Sequence, residues 1–564
     1  MMRRRNAILI AVGVGVFFAA FFVWPLYETV RGGFVYEGEP TVRFVLEVFG
    51  NPIYLEGLAN SLQIALATTA LVLLITLPLA VLSDRYDFAG KGLVNALLLV
   101  PMILPPFVGA IGLRQIVGQY GALNAALTWL GVLADGQTID WMGRSRFWGV
   151  VVLEALHLYP IMYLNATASL ANVDPAMLEA AENLGCVGWR RFRRITLPLI
   201  MPGLFAGGTI VLIWSFTELG TPLMFDYMRV TPVQVFEGIK EIGDNPFPYA
   251  LTVVMLVASV LMYLVGRGIF GRHAYAMMAK ATVARPAKRL TGLRNLLIVT
   301  PFVVVIGLAL VPHVGVILNS LSAGWYRSVL PNAFTLHHYR EALSHGLTIS
   351  SIGNSIEYAS LAMVIDLLLG IAIAYVVVRS DLPGRGLLDA IAMMPLAVPG
   401  LVLAFGYLAM TRQGEVFAFL DPREDPTVLL VIAYAVRRLP YVVRSIAAGL
   451  QQTSVTLEEA AWNLGASPLR TVRKIVLPLI AANLLAGGLL AFSFAMLEVS
   501  DSLMLAQRGM HYPITKAIFE LFNLLGEGRY IASALGVWAM ALLTVTLVSA
   551  SLLLGKRLGA LFRV

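Results

Sequence analysis

The chain has 564 residues, 58% of them hydrophobic and 13% charged, with a net charge of +8 and a mean hydropathy of +0.79. That balance excludes an ordinary soluble globular protein of this size. The positive charge lies in short Lys/Arg clusters between apolar runs, which excludes a nucleic-acid binder and follows the bias of membrane proteins for basic cytoplasmic loops. Cys186 stands alone, so no internal disulfide is available.

Apolar runs of bilayer-spanning length, about 20 residues, recur along the whole chain. Helices satisfy their own backbone hydrogen bonds in lipid, and the short alternating segments of a membrane β-barrel are absent from the sequence. The reading is an all-α polytopic membrane protein. Twelve spans are expected near 8–27, 59–82, 93–117, 147–170, 199–223, 249–270, 295–319, 352–378, 387–410, 427–449, 479–504 and 530–554. The first follows the basic head Arg3-Arg4-Arg5 and is read as an uncleaved span, because its apolar run is long and no small-x-small cleavage site follows. Alternation then places Arg85 with Lys91, Arg190 to Arg194, Arg379 with Arg385, Arg470 to Lys474, and Lys556 with Arg557 on one side. Both termini are expected in the cytoplasm.

The chain repeats itself. Asn60-Ser61 matches Asn354-Ser355, and Pro101 and Pro105 match Pro395 and Pro399, at an offset of 294 residues. Pro160, Glu179, Gly185, Pro198 and Glu218 match Pro440, Glu459, Gly465, Pro478 and Glu498 at an offset of 280. The change of register falls in the loop near 118–146, whose counterpart at 412–426 is shorter. Both copies start on the same side, so this is a parallel repeat of six spans. The expected division is a first half at 1–270, a basic cytoplasmic linker at 271–294 and a second half at 295–564.

Between the fourth and fifth spans of each half, at 171–198 and 451–478, lies a charged loop. In the first, VDPAMLEAAENLG reads as a short helix with Asp174 as cap, Pro175 at its first position and Gly185 as terminator; a second short helix carries the basic cluster. In the second copy, Thr456 is expected to cap and Gly465 to terminate. Ala180, Ala181, Ala460 and Ala461 keep the helix face thin enough for another protein's groove, Leu184 and Leu464 give an apolar tip, and Glu179 and Glu459 can pair with basic groups there. A solvated amphipathic loop with no partner is the plainer alternative, which the repetition of the spacing argues against.

The spacing Glu-Ala-Ala, Gly, Ile-x-Leu-Pro resembles the coupling motif of permease subunits of ATP-binding-cassette importers. It is carried here by Glu179, Ala180, Ala181, Gly185, Ile195, Leu197 and Pro198, and again by Glu459, Ala460, Ala461, Gly465, Ile475, Leu477 and Pro478. The resemblance implies a type I importer permease fold, with two halves fused in one chain. It also implies that each loop docks on one subunit of a cytoplasmic ATPase dimer, which binds ATP and magnesium, and that a periplasmic or lipid-anchored binding protein delivers the solute. The expected location is a bacterial inner membrane. No G-x-x-x-x-G-K-[ST] phosphate loop occurs, so the chain is not expected to bind a cofactor or hydrolyse ATP itself.

For cargo, the fused form and the FTELGTP segment most resemble ferric-iron permeases. Thiamine is the near alternative; polyamine, phosphonate or sulfate importers are further ones. Glu218 and Glu498 occupy matching positions in the fifth spans, with Asp501 nearby. They are read either as a carboxylate pair lining the path or as helix-end groups paired to a base. Such carboxylates would suit a hard cation, although the sequence fixes no metal site. Arg437 and Arg438 have no counterpart in the first copy. They are read first as side chains snorkelling to the cytoplasm and second as holders of the inner gate or of a carboxylate across the seam between the halves. The prolines at 101, 105, 106, 395 and 399 are expected to break spans three and nine. The basic turns at 84–92 and 379–386 resemble those of major-facilitator carriers, which keeps an ion-coupled twelve-helix carrier as the distant alternative.

Overall fold

The computed structural model describes residues 4–143, 146–243, 245–270, 288–290 and 292–554. Most of the expected linker, Arg3, Lys556 and Arg557 lie outside these residues. The architecture is helical; the described strands are two-residue ladders, Val35–Tyr36 with Glu39–Pro40 and Tyr86–Asp87 with Lys288–Arg289.

In chain order the main helices of the first half are α1 (Arg4–Phe34), α2 (Pro52–Arg85), α3 (Lys91–Leu97), α4 (Pro106–Val117), α5 (Phe147–Ala171), α6 (Pro175–Asn183), α7 (Leu197–Thr217) and α8 (Phe247–Phe270). The second half contributes α9 (Gly292–Ser320), α10 (Gly346–Arg379), α11 (Arg385–Met393), α12 (Gly400–Met410), α13 (Thr427–Gln452), α14 (Thr456–Asn463), α15 (Ala481–Met496) and α16 (Gly528–Leu554). Among the described residues, eight helices are long and apolar enough to cross a membrane, and three bent pairs raise the number to eleven. The expected span outside this count is the tenth, the 26-residue α13, which forms as a helix but carries Arg437, Arg438 and Arg444.

Spans three and nine are broken where the prolines require it. The chain turns by 97° between Lys91–Ile103 and Pro106–Trp129, and by 97° between Arg385–Leu396 and Gly400–Met410. Proline lacks an amide hydrogen and its ring clashes with the preceding turn, so each run ends in a 3-10 turn and restarts after Pro105 or Pro399. Span eleven is also bent, by 77°, between Pro468–Leu479 and Ala481–Met496. There Pro478 follows a π-turn at Val472–Val476. The first copy has the same wide turn at Phe192–Thr196 before Pro198, but its helix runs on without a break to Thr217. Pro198 thus sits inside a continuous 30-residue span rather than starting one.

The structure divides into two compact units, one of residues 1–56, 231–256 and 336–561, the other of 57–230, 257–335 and 562–564. The spatial units are therefore a different division from the sequence halves, because the opening helix of each half packs with helices of the other half. In the first unit α1 lies on α12. A Cβ on Gly406 would come within 2.5 Å of the Pro25 carbonyl oxygen, and the Tyr407 hydroxyl donates to the Phe21 carbonyl at 2.8 Å. In the other unit α9 lies on α4, and a Cβ on Gly112 would meet the Pro312 carbonyl oxygen at 2.2 Å. Gly112 and Gly406 are 294 residues apart, so the repeat uses the same missing side chain for the same close crossing.

Each unit has its own core. α10, α13 and α15 pack together in the first around Val442, Ile446, Leu450 and Ile480. α5 and α7 pack in the second around Tyr159, Met162, Ile200 and Phe302. The repeat also holds at hydrogen-bond detail. Asn60 donates to the Arg229 carbonyl at 2.8 Å, and Asn354 donates to the Met510 carbonyl at 2.8 Å.

Candidate functional site

The two charged loops fold into two equivalent short helices. Asp174 caps α6 by accepting from the Ala176 amide at 2.9 Å, with Pro175 in the first turn. Gly185 ends it with φ +74°, and Gly465 ends α14 with φ +82°, the left-handed conformation that favours glycine. Thr456 does not cap α14: the helix already begins there, and the Ser454 hydroxyl accepts from the Thr456 amide at 3.3 Å. The helix begins one residue earlier than expected, so the small polar side chain two positions upstream takes the donor.

In both copies the motif sorts by exposure. Glu179, Ala180 and Gly185, and Glu459, Ala460 and Gly465, face outward, while Ala181 and Ala461 face inward. Leu184 and Leu464 are 87% and 90% exposed. Such apolar tips on otherwise polar loops mark a contact surface. Ile195, Leu197, Ile475 and Leu477 are half-buried, with Ile195 and Leu197 packed on the core below α6.

The two short helices are fastened differently. The inward face of α6 is apolar, through Leu178, and Glu182 pairs with the largely buried Arg191. In α14 the position of Leu178 is taken by Glu458, only 3% exposed. Its carboxylate accepts from the Tyr375 hydroxyl at 2.6 Å and from Arg379 Nε at 2.7 Å. Arg379 Nη2 also donates to the Leu450 and Thr453 carbonyls at 2.8 and 2.9 Å. One carboxylate thus ties α14 to the end of α10, and one guanidinium ties both to the end of α13. Sequence reasoning fixed on Glu459 and passed over its neighbour; the signal was the acid at 458 where the first copy has leucine. Replacing Arg379 with Ala leaves Glu458 buried beside Tyr375 alone, a loss of about 3 kcal/mol or more for a broken buried pair. The expected result is faster amide hydrogen exchange across 454–464 with that of 174–184 unchanged.

The second constellation lies in the membrane part of the first unit. Arg437 Nη1 donates to Glu498 at 2.6 Å and to Asp501 at 3.3 Å, and Arg438 pairs with Glu498 through its other carboxylate oxygen. Glu498, Asp501 and Arg438 are buried. The expectation that the two arginines snorkel to the cytoplasm is therefore corrected. They point into the helix packing because buried carboxylates are there to receive them. The Arg437 guanidinium lies over Gly400, the first residue of α12, within 1.8 Å of where a Cβ would stand. Asp366 on α10 is wholly buried and electrostatically coupled to Arg438; the sequence reading missed it, since a single aspartate in a span of the second copy has no partner in the first. Glu218 belongs to the other unit and follows the last residue of α7. It accepts from Trp214 Nε1 at 3.1 Å and from the Thr221 amide at 3.4 Å. Among the described residues no group of three or more His, Cys, Asp or Glu is arranged to hold a metal ion.

Two copies of one helical membrane unit, each bearing one exposed short helix closed by a left-handed glycine, define a duplicated integral membrane protein. The family profile described as "binding-protein-dependent transport system inner membrane component" matches twice, over residues 76–274 and 366–563. The chain belongs to that family of importer permeases, as two fused copies. It is 26% identical over 468 residues to a ferric transport system permease protein of Actinobacillus pleuropneumoniae, a match covering 81% of this chain and 64% of that protein. It is also 26% identical over 470 residues to a Haemophilus influenzae protein named as a candidate ferric transport system permease, covering 82% of this chain and 70% of that one. The chain thus spans just under two thirds of the Actinobacillus relative. Among solved structures, a chain of a bacterial ABC transporter involved in alginate import aligns over 48% of this chain and 97% of its own, at 16% identity and a TM-score of 0.39.

Proposed function

We propose that this protein is the fused, two-half membrane subunit of an importer driven by a separate cytoplasmic ATPase dimer, and that its cargo is ferric iron presented by a periplasmic or lipid-anchored binding protein. The observation that carries the reading is the pair of exposed short helices, equivalent in exposed face and terminating glycine. Two equivalent knobs suit a two-subunit motor with one groove per subunit. ATP and magnesium belong to that motor. The basic loops support an orientation with the knobs and both termini in the cytoplasm. The names of the relatives matched across both halves support iron. Glu218, Glu498, Asp501, Arg437 and Arg438 are the proposed passage residues, with the two arginines holding the carboxylates of the second half until cargo or conformational change releases them. Alternation between inward-open and outward-open states would then act on a passage lined by the broken helices.

The test is reconstitution of the full chain into vesicles with its ATPase, and with iron-loaded binding protein on the other side. Iron accumulation that requires all three components and ATP is the expected result. Accumulation by this chain alone, driven by an ion gradient, would replace the proposal with a secondary carrier. ATP-dependent uptake of thiamine without iron would keep the class and change the cargo.

A further inference from the structure

The first copy of the repeat holds a buried carboxylate that the reading above does not use. Glu154 on α5 is 2% exposed, and neither carboxyl oxygen has a hydrogen bond. Its polar neighbours are the hydroxyls of Thr68 on α2 and Ser215 on α7, together with Glu218. Thr68 and Ser215 are 0% and 4% exposed, and neither hydroxyl has a hydrogen-bond partner. Three helices of one unit therefore bring together four oxygen-bearing side chains, three of them buried and making no hydrogen bond of ordinary length, with Thr68 and Ser215 turned toward the Glu154 carboxyl. Such groups are expensive to bury without a partner, and a carboxylate within a membrane span points to a functional partner.

Comparison of the two copies says what kind of partner is missing. At the offset of 280 residues Glu154 corresponds to Tyr434, whose hydroxyl is satisfied by Ser502 at 2.6 Å. The second copy's carboxylate, Glu498, is met by Arg437 and Arg438. Their counterparts are His157 and Leu158. The His157 Nδ1–H donates to the Pro101 carbonyl at 3.0 Å, and Leu158 is buried and apolar. The second copy thus supplies its own positive charge, and the first copy does not repeat it.

We propose that Glu154, Thr68, Ser215 and Glu218 form an intramembrane site for a hard, oxygen-seeking cation. An all-oxygen set of carboxylates and hydroxyls selects such ions over soft or imidazole-preferring ones. The proposal rests on the reading of this chain as a metal-ion permease and deepens it. The cation halts in the first copy, at carboxylate and hydroxyl oxygens, while the corresponding region of the second copy is closed by its own arginines. Trp214, whose indole is bonded to Glu218, stands beside the site and serves as a built-in reporter.

The probe is terbium(III), a hard trivalent ion whose emission is excited through a nearby tryptophan. Terbium is titrated into the purified full-length chain in lipid nanodiscs, and bound metal is measured in parallel by equilibrium dialysis. Saturable, tryptophan-excited emission that ferric citrate displaces is expected. Glu154→Gln should weaken apparent affinity at least tenfold, and Thr68→Val and Ser215→Ala severalfold each. Trp214→Phe should dim the emission far more than it lowers dialysed terbium, since it removes the reporter and only one donor to Glu218. The two hydroxyl variants are near-isosteric and decide the matter if Glu154→Gln fails to fold. Terbium affinity unchanged in Glu154→Gln, or in both hydroxyl variants, overturns the site and leaves Glu154 as a carboxyl holding only a proton. Loss of iron uptake in vesicles with terbium binding intact would instead count against iron as cargo and leave the site standing.

Discussion

Replacing Gly185 and Gly465 together with Asp is expected to reduce ATP-driven uptake by two orders of magnitude while the chain inserts and folds normally. Both glycines have positive φ, where a side chain costs about 1–2 kcal/mol; Asp is among the more tolerant residues there, and a carboxylate at an exposed tip needs no desolvation within the chain. A Cβ at either position would meet nothing within 4 Å. Any steric or electrostatic obstacle must therefore come from a partner, and the fold itself should lose little. The measurement is uptake and stimulated ATP hydrolysis in reconstituted vesicles, beside thermal unfolding of the purified chain. Each single variant should retain part of the coupling, since one knob remains. Changing both glycines to Asn separates the two effects: Asn adopts the left-handed conformation readily but still adds a side chain, so it should fail like Asp if close approach of a partner is what matters. Uptake near the unsubstituted level in the double Asp variant would remove the knobs from the mechanism.

Much of this arrangement was legible in the sequence because it is local. Asp174-Pro175 and Gly185 specify the start and end of α6 by short-range backbone chemistry, and the structure places them so. Pro101, Pro105, Pro395 and Pro399 specify the breaks of two spans for the same reason. What the sequence could not express was partnership over distance. Arg437 and Arg438 look like surface charges along the chain, and only the packing of α13 beside α15 brings them to Glu498. Glu458 looks like half of an ordinary acidic pair until Tyr375 and Arg379, about eighty positions earlier, close on it. The exchange of opening helices between the halves was equally hidden. Its signal is Gly112 and Gly406, which read as unremarkable small residues until the crossing helices of their own units show why a side chain is excluded there.

The buried charge cluster of the first unit makes the other large prediction, and it concerns the order of effects. Glu498 and Asp501 pair with Arg437 and Arg438, so two carboxylates meet two guanidiniums and the formal balance is zero. Arg438→Met moves the balance to −1 and strips Glu498 of one partner. Breaking a buried pair by removing one member costs about 3–5 kcal/mol, and this variant should fall in that range when unfolding is followed by denaturant titration in mixed micelles. Glu498→Gln moves the balance the other way, to +1, and leaves Arg437 with Asp501 and Arg438 with the Phe494 carbonyl. It should be the milder change although it removes the residue at the centre of the network. Combining the two substitutions restores the formal zero and removes both ends of one buried pair, so it should recover at least half of the stability lost in Arg438→Met. If Glu498→Gln proved the more damaging of the two, the cluster would be held by the geometry of that one carboxylate rather than by its charge balance. The repeat would then differ between its copies in shape rather than in electrostatics.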